Sequence, residues 1–383
     1  MDLHLSEEHE MIRKTAREFA QKEVAPIAAE IDEQGRVPIE NIRKMGEIGF
    51  LGLTVPEAYG GAGADTVAYV IAIEEIAKVC ASTATIMSVQ NSLVCQGFEL
   101  YGDEAQKQKY LPRLASGQMV GAFALTEPEA GCDAAAQKTQ ARRDGDKYVL
   151  NGTKHFITNG AIADVVIVFG VTDPAAGSRG ISAFIVEKGT PGFSVGREER
   201  KMGIRGTSTC ELHFEECCIP ASQRLGNEGQ GLRIALHLLD GGRIGIAAQA
   251  VGIAQGAFEA ALAYAQVRRQ FGQPIARFQA IQWMLADMST RIEAARLLTY
   301  QAALAKDAAK KTGARYSREA AQAKLFASET AVWVTDRAVQ IHGGYGYMKE
   351  YPVERFYRDA KITEIYEGTS EVQRMVIAGA LMQ

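Results

Sequence analysis

The stretch Val165-Val166-Ile167-Val168-Phe169, followed by Ile181-Ser182-Ala183-Phe184-Ile185-Val186 and preceded by Tyr148-Val149-Leu150, decides how this chain is built. Three short β-branched and aromatic runs read as strands. Asp144-Gly145, Asn151-Gly152 and Pro191-Gly192 supply the turn signals around them. No helical pattern of 10 to 15 residues intervenes, so the sheet is expected to be antiparallel, and a dinucleotide-binding Rossmann sheet is not expected. On either side the period changes. From Ser6 to about Met119 apolar residues recur at helical spacing, with Ser6 as cap, Glu7 and Glu8 in the first turn, and Ile12, Ala16 and Phe19 behind them. Pro38, Pro56, Gly60-Gly61-Ala62-Gly63, Gly102 and Pro112 are read as breaks between helices. From Gly229 onward, Ala-rich runs at Ile244 to Ala265, Gln279 to Asp307 and Arg318 to His342 read as a four-helix-type bundle. The expected fold is α+β and multi-domain: a helical domain over 1–119, an antiparallel β-domain over 120–228, and a helical bundle over 229–383.

At 383 residues the chain exceeds what one core usually supports, so several layers are expected. Its 42 Lys and Arg against 46 Asp and Glu give a formal charge of −4, with no long basic run. That argues against nucleic acid or an anionic membrane as the main partner. Six cysteines (Cys80, Cys95, Cys132, Cys210, Cys217, Cys218) show no C-x-x-C spacing and read as reduced thiols. The six histidines show no H-E-x-x-H pattern, so no metal is expected. The start, Met1-Asp2-Leu3-His4, has neither a charged n-region nor an apolar h-region, and no window approaches 18 uninterrupted apolar residues. A cytoplasmic, prokaryotic-type protein is the expectation.

Near the C-terminus the chain reads Ile365-Tyr366-Glu367-Gly368-Thr369-Ser370-Glu371-Val372-Gln373-Arg374. Glu367 stands between an aromatic ring and a glycine, where desolvation would raise its pKa toward that of a general base. The plain alternative is an ordinary helix start, because Gly-Thr-Ser-Glu is also a capping signal ahead of Val372, Met375, Val376 and Ala380. Taken alone, the helix start is the better reading.

Four separated stretches change that balance: Phe123-Ala124-Leu125-Thr126-Glu127-Pro128-Glu129-Ala130-Gly131-Cys132-Asp133; Lys154-His155-Phe156-Ile157-Thr158-Asn159-Gly160; Gln340-Ile341-His342-Gly343-Gly344-Tyr345-Gly346; and the Glu367 run. Their order and the helical, β, helical plan resemble the acyl-CoA dehydrogenases over nearly the whole chain, most of all the short-chain, butyryl-CoA-type members. A flavin needs hydrogen bonds at its polar edge and an aromatic or apolar wall. The resemblance implies FAD, with Phe123, Leu125 and Thr126 along the isoalloxazine and Phe156 and Thr158 on its other side, where relatives often carry Trp in place of Phe156. Without that context Phe123 and Phe156 read as sheet-core aromatics. No G-x-G-x-x-G turn is present for the pyrophosphate. By resemblance Arg268, Phe271 and Gln279 take that part of FAD, and Gln340, Gly343 and Gly344 extend the contact from a neighbouring subunit of a homotetramer. The plain alternatives are a solvated helix end at Arg268-Arg269 and a C-cap at Gly343-Gly344. Thr369 and Glu371 are also carried over as cofactor contacts.

On the substrate side, Asp240-Gly241-Gly242-Arg243 resembles the helix that meets the CoA thioester, which makes Asp240, Arg243, Tyr366 and Gly368 candidate substrate contacts. Some relatives place the base on this helix; here Gly242 stands there and cannot serve, whereas Glu367 occupies the commoner location. Cys132 touches flavin or substrate by resemblance, where relatives carry Ser or Thr, and a thiol is the weaker donor. The implied reaction removes an α-proton at Glu367 and passes a β-hydride to flavin N5, giving a trans-2-enoyl-CoA. The carbonyl oxygen would be held by a flavin ribityl hydroxyl and the Glu367 N–H. An acyl-CoA oxidase would carry an added C-terminal domain, so an electron-transferring flavoprotein is the expected acceptor. An enoyl-CoA reductase running in reverse, and branched or cyclic acyl groups, stay open. A DNA-binding or non-catalytic flavin-binding relative fits less well, given the charge balance and the presence of Glu367. Asn91 stands where an Arg would be expected for a dicarboxylic substrate, which lowers glutaryl-CoA.

Overall fold

The computed structural model describes residues 5–382; the Met1–His4 reading lies outside them. Helices lead, beginning with Glu7–Phe19, where the Ser6 side chain accepts from the His9 N–H and the Ser6 N–H donates to His9 Nδ1. The Thr66–Ala77 helix is buried on every side, because its residues are apolar around most of the circumference and its Glu74 and Glu75 are paired with Arg296 and Arg17. Val89–Cys95 is π-helical and fully buried. Pro112 does not break the chain as read from the sequence. It sits inside Glu104–Ala115, in the last turn, so it removes one bond of the helix ladder and the helix ends three residues later.

Eight strands follow: β1 (Gly121–Ala124), β2 (Gln140–Asp144), β3 (Lys147–Thr158), β4 (Val165–Val171), β5 (Ile181–Glu187), β6 (Phe193–Glu198), β7 (Thr209–Pro220) and β8 (Arg224–Leu225). The order is β6-β7-β3-β2-β4-β5-β8, with β1 beside β4. Most pairs are antiparallel, as expected, but β1 runs parallel to β4 and β2 meets β4 in parallel at Gln140 and Val171. The cause lies at the seam with the first helices. Val120 N donates to Asp164 Oδ2 at 2.9 Å and Asp164 N to Val120 O at 2.7 Å, which starts β1 and β4 side by side. Gln90 fastens the same seam, accepting from Gly121 N and donating to Leu114 O and Met119 O. β4 is apolar without alternation because both faces are covered: Val165, Ile167 and Phe169 meet the helical layer, while Val166 and Val168 pack with Tyr148 and Phe184. Asn151-Gly152 is not a hairpin turn. β3 runs through it with a register shift, and Gly152 is needed because a Cβ there would stand 2.5 Å from Thr139 Oγ1.

The chain ends in long helices, Gly231–Val267, Gln279–Thr312 and Ser317–His342, then Val353–Ile362 and Ser370–Leu381. Gly231–Val267 is long and apolar enough to cross a membrane by length and composition, yet most of it is buried within the protein. It forms the spine against which Thr66–Ala77, Gln279–Thr312 and Ser317–His342 pack.

Candidate active site

Glu367 lies in the link between the last two helices, with φ at +53°, followed by Gly368 at +95°. A left-handed non-glycine residue is held only where its surroundings over-determine it. Lys324 Nζ donates to Gly368 O at 2.7 Å, and Gln373 Nε2 donates to Glu367 O at 3.2 Å and Gly368 O at 2.8 Å. Tyr366 Oη donates to Gln249 Oε1 at 2.6 Å, fixing the residue before it. Thr369 then caps Ser370–Leu381 through the Val372 N–H, so the capping signal and the Glu367 setting coexist. Glu371 lies in that first turn, exposed, its carboxyl pulled below the usual range mainly by backbone N–H bonding.

The Glu367 carboxyl faces the spine helix. Its Oε2 is out of solvent and takes no hydrogen bond from the described residues. Burial pushes its pKa up to about 7, against the pull of Lys324 and Arg243. Lys324 is wholly buried and pushed down to about 8 by the same desolvation, which Glu367 opposes. Arg243 Nη1 donates to Asp240 Oδ1 at 2.6 Å, and Asp240 also accepts from Ser317. Burial raises the Asp240 pKa, with Arg243 opposing. The Arg243 Nε is also buried without a partner. A buried carboxylate oxygen and a buried guanidinium N–H, both unbonded, suit a polar ligand that needs a proton acceptor and an oxygen-binding donor. Among the described residues, the Glu367 N–H likewise donates to no protein group.

The walls near this carboxylate are bulky. A Cβ on Gly242 would stand 3.1 Å from Leu93 Cδ2, and one on Gly245 would stand 2.4 Å from Tyr69 Oη and 2.5 Å from Ser88 Oγ. Asn91 is not among those walls. Its side chain is spent on Leu53 N, Phe50 O and Met87 O, so this position bears on N-terminal packing and offers no cation to a substrate carboxylate.

A second group forms at the end of β1 and in β3. Lys154, fully buried, donates to Leu125 O, Glu127 Oε1 and Gln137 Oε1 at 2.8 to 3.0 Å. Glu127 also accepts from Lys138 N and Thr139 N. His155 N donates to Thr126 O at 2.9 Å, so Leu125, Thr126, Phe156 and Thr158 are brought onto one framework. Among the described residues the Thr126 and Thr158 hydroxyls make no hydrogen bond. Phe156 has φ +57° and stays 60% exposed, an arrangement that suits a wall for a planar ring and not a sheet-core aromatic. Phe123 is half-buried and meets Phe169 edge to face at 5.0 Å. Cys132 is exposed beyond the Glu127–Ala130 turn.

A third group lines a cleft of about 500 Å³: Arg268, Gly343 and Gly344, with Tyr264, His342 and Tyr345. The Arg268 guanidinium lies 5.4 Å from the Tyr345 ring centre. Gln279 and Gln340 are exposed outside this lining, as is Phe271, 92% accessible at φ +49°. A guanidinium beside glycine backbone and aromatic rings suits a pyrophosphate with an attached base, so these residues fit a dinucleotide cofactor.

Sequence reasoning missed Lys324, Gln373 and Lys154. Lys324 could have been found. It falls on the buried stripe Ala320, Lys324, Ala327, Ala331, Val334, where an unpaired lysine would not be tolerated.

Comparison with known proteins covers almost all of the chain. Family descriptions "Acyl-CoA dehydrogenase, N-terminal domain", "middle domain" and "C-terminal domain" match residues 6–118, 122–217 and 229–382. The chain is 54% identical to the short-chain specific acyl-CoA dehydrogenase of Clostridium acetobutylicum over 100% of both. It is 52% identical to an acryloyl-CoA reductase (NADH) of Anaerotignum propionicum, over 100% of this chain and 96% of that one. The solved butyryl-CoA dehydrogenase of Megasphaera elsdenii superposes with a TM-score of 0.97 at 48% identity, covering 100% of both chains.

Proposed function

The chain belongs to the acyl-CoA dehydrogenase family of FAD-dependent oxidoreductases, and on that premise we propose that it dehydrogenates a short-chain acyl-CoA to the trans-2-enoyl-CoA with Glu367 as the α-proton base. The observation that carries this reading is the Glu367 Oε2: buried, without a hydrogen bond, and raised to about 7. A carboxylate there is basic enough to take a carbon-bound proton near neutral pH and is shielded from water that would level it. Its backbone N–H is left to polarise the thioester oxygen, lowering the acidity gap that a bare carboxylate could not bridge. Lys324 and Gln373 hold the backbone, and Tyr366 anchors to Gln249, so the carboxylate is positioned without being bonded. Asp240 and Arg243 meet the thioester portion of the acyl-CoA.

FAD, when bound, supplies the hydride acceptor. Thr126, Phe156 and Thr158 suit its ring system, and Arg268, Gly343 and Gly344 its pyrophosphate. Exposed Phe271, Trp283 and Met375 support assembly into a homotetramer, and exposed Phe156 supports docking of an electron-transferring flavoprotein at that edge. Leu93, Tyr69 and Ser88, crowded along the spine helix, favour butyryl over longer groups.

The test is an anaerobic visible spectrum of the holoprotein before and after butyryl-CoA. Bleaching of the main flavin band by butyryl-CoA, with weaker bleaching by octanoyl-CoA, supports the reading; a spectrum unmoved by any acyl-CoA overturns it. A second reading, reduction of a short enoyl-CoA, is favoured by the likeness to the acryloyl-CoA reductase. It predicts that NADH with an electron-transferring flavoprotein consumes the enoyl-CoA faster than the acyl-CoA is oxidised.

A further inference from the structure

Outside the site just described, the β6-β7-β3 end of the sheet gathers two imidazoles and two carboxylates. His155 Nε2 lies 3.2 Å from Glu199 Oε1 and 3.7 Å from Glu211 Oε1. The three donor atoms all fall within 4.8 Å of one another. His213 Nε2 lies 3.5 Å from the other Glu211 oxygen, and its Nδ1 is 3.2 Å from Thr153 Oγ1. Two register shifts aim them together, one in β3 between Lys154 and Ile157 and one in β6 between Val195 and Glu198. Bulges turn side chains that regular pleating would point apart. Glu199 is fixed by its N–H to Thr209 O at 2.8 Å.

We infer that His155, Glu199 and Glu211 form a binding site for a divalent first-row transition metal of the zinc class, with His213 orienting Glu211. Metal to nitrogen and oxygen distances of about 2.0 to 2.2 Å place tetrahedral donors about 3.3 to 3.6 Å apart; the two separations from His155, 3.2 and 3.7 Å, bracket that range, and the two carboxylate oxygens lie within 4.8 Å of each other. One imidazole and two carboxylates suit a borderline cation and leave a fourth position for water. Among the described residues no Lys or Arg lies within salt-bridge distance of Glu199 or Glu211, so imidazoles are their contacting partners and Lys201 acts on Glu199 only at longer range, leaving negative charge for a dication to neutralise. The donors are half-buried; His155 and Glu211 stand on β3 and β7, and Glu199 directly follows β6, its N–H tied to β7, which lowers the cost of ordering them. No sequence spacing announces the site, because its three donors come from separate segments of the chain.

The location gives the site a consequence. The His155 ring stacks on Phe156 at 3.9 Å and 13°, so metal capture at Nε2 would hold Phe156 too. That link to the cofactor rests on the reading of Phe156 given above; metal binding itself does not.

The test titrates purified holoprotein, freed of metal by chelator, with Zn2+ and separately with Co2+. The expected result is one equivalent bound per chain, a four-coordinate Co2+ spectrum, and a higher thermal midpoint in Zn2+. Glu199→Gln with Glu211→Gln weakens binding by at least ~10-fold, and His213→Gln weakens it by about 10- to 100-fold, as lost orienting partners do. Absence of saturable binding to the wild-type protein overturns the inference, as does binding that survives in the Glu199→Gln, Glu211→Gln protein, which would place the metal on the exposed thiols Cys132 or Cys218. A metal-bound protein with an unmoved flavin spectrum removes only the link through Phe156.

Discussion

A Cβ placed on Gly242 would stand 2.0 Å from Oε2 of Glu367. The glycine is therefore what lets the carboxylate lie against the spine helix. Gly242→Ala is expected to fold, since the clashing atom ends a flexible side chain, but to displace the carboxylate. Steady-state kinetics with butyryl-CoA should show kcat falling by about 10- to 100-fold, the scale of a ~1 Å misplacement, with flavin content unchanged. A kcat within twofold of wild type would show that the carboxylate position does not matter.

Glu367→Gln separates chemistry from stability. Loss of the base should lower kcat by about 10²- to 10⁴-fold. The same change should raise the thermal midpoint at pH 8, because the raised folded pKa means that an ionised Glu367 costs on the order of 3 kcal/mol there. The sign follows from proton binding: between the unfolded value near 4.5 and about 7 the folded state holds the extra proton, so the wild type regains stability as pH falls. The gap between the two proteins should shrink from pH 7 downward and vanish below about pH 4. Calorimetry across that range checks it.

The strands of the sheet were legible because they are written locally, whereas Glu367 was singled out only by the company of three distant stretches, its own run reading equally as a helix start. Val165 to Phe169 is apolar throughout because β4 is covered on both faces, and the Gly-Thr-Ser-Glu capping signal is real as well, since Thr369 caps the last helix. What was not legible depends on partners far along the chain. β1 is four residues long with no alternation, and its parallel pairing is set by Asp164. Asn151-Gly152 looked like a turn because local preference cannot register Thr139 beneath it. Asn91 was read through a likeness, while its hydrogen bonds tie it to Phe50 and Leu53.

Lys324 is expected to tune the carboxylate proposed as the base. Its charge favours the ionised form of Glu367, opposing burial. Lys324→Met removes that charge, so the Glu367 pKa should climb above 7 and the acidic limb of the kcat/KM profile should move to higher pH. A loss of packing alone would lower activity equally at every pH. The pH profile, with kcat/KM measured from pH 6 to 9, distinguishes the two, and an unmoved limb refutes the tuning role.

Lys154 and Glu127 form an ion pair sealed inside the sheet, at 2.8 Å, with the lysine fully buried and pushed down to about 8. Removing one partner strands the other. Lys154→Met should therefore cost about 3 to 5 kcal/mol in denaturant unfolding, since Glu127 keeps a charge in a dry site. It also releases Leu125 O and the segment through Thr126, so FAD should be lost on dilution more readily than from the wild type. Adding Glu127→Gln to Lys154→Met removes the stranded charge and should restore a large part of the stability, while Leu125 O still lacks its donor and FAD retention stays weak. If the double variant regains both together, the pair acts on the cofactor only through global stability; if stability returns without FAD retention, Lys154 positions the flavin wall directly.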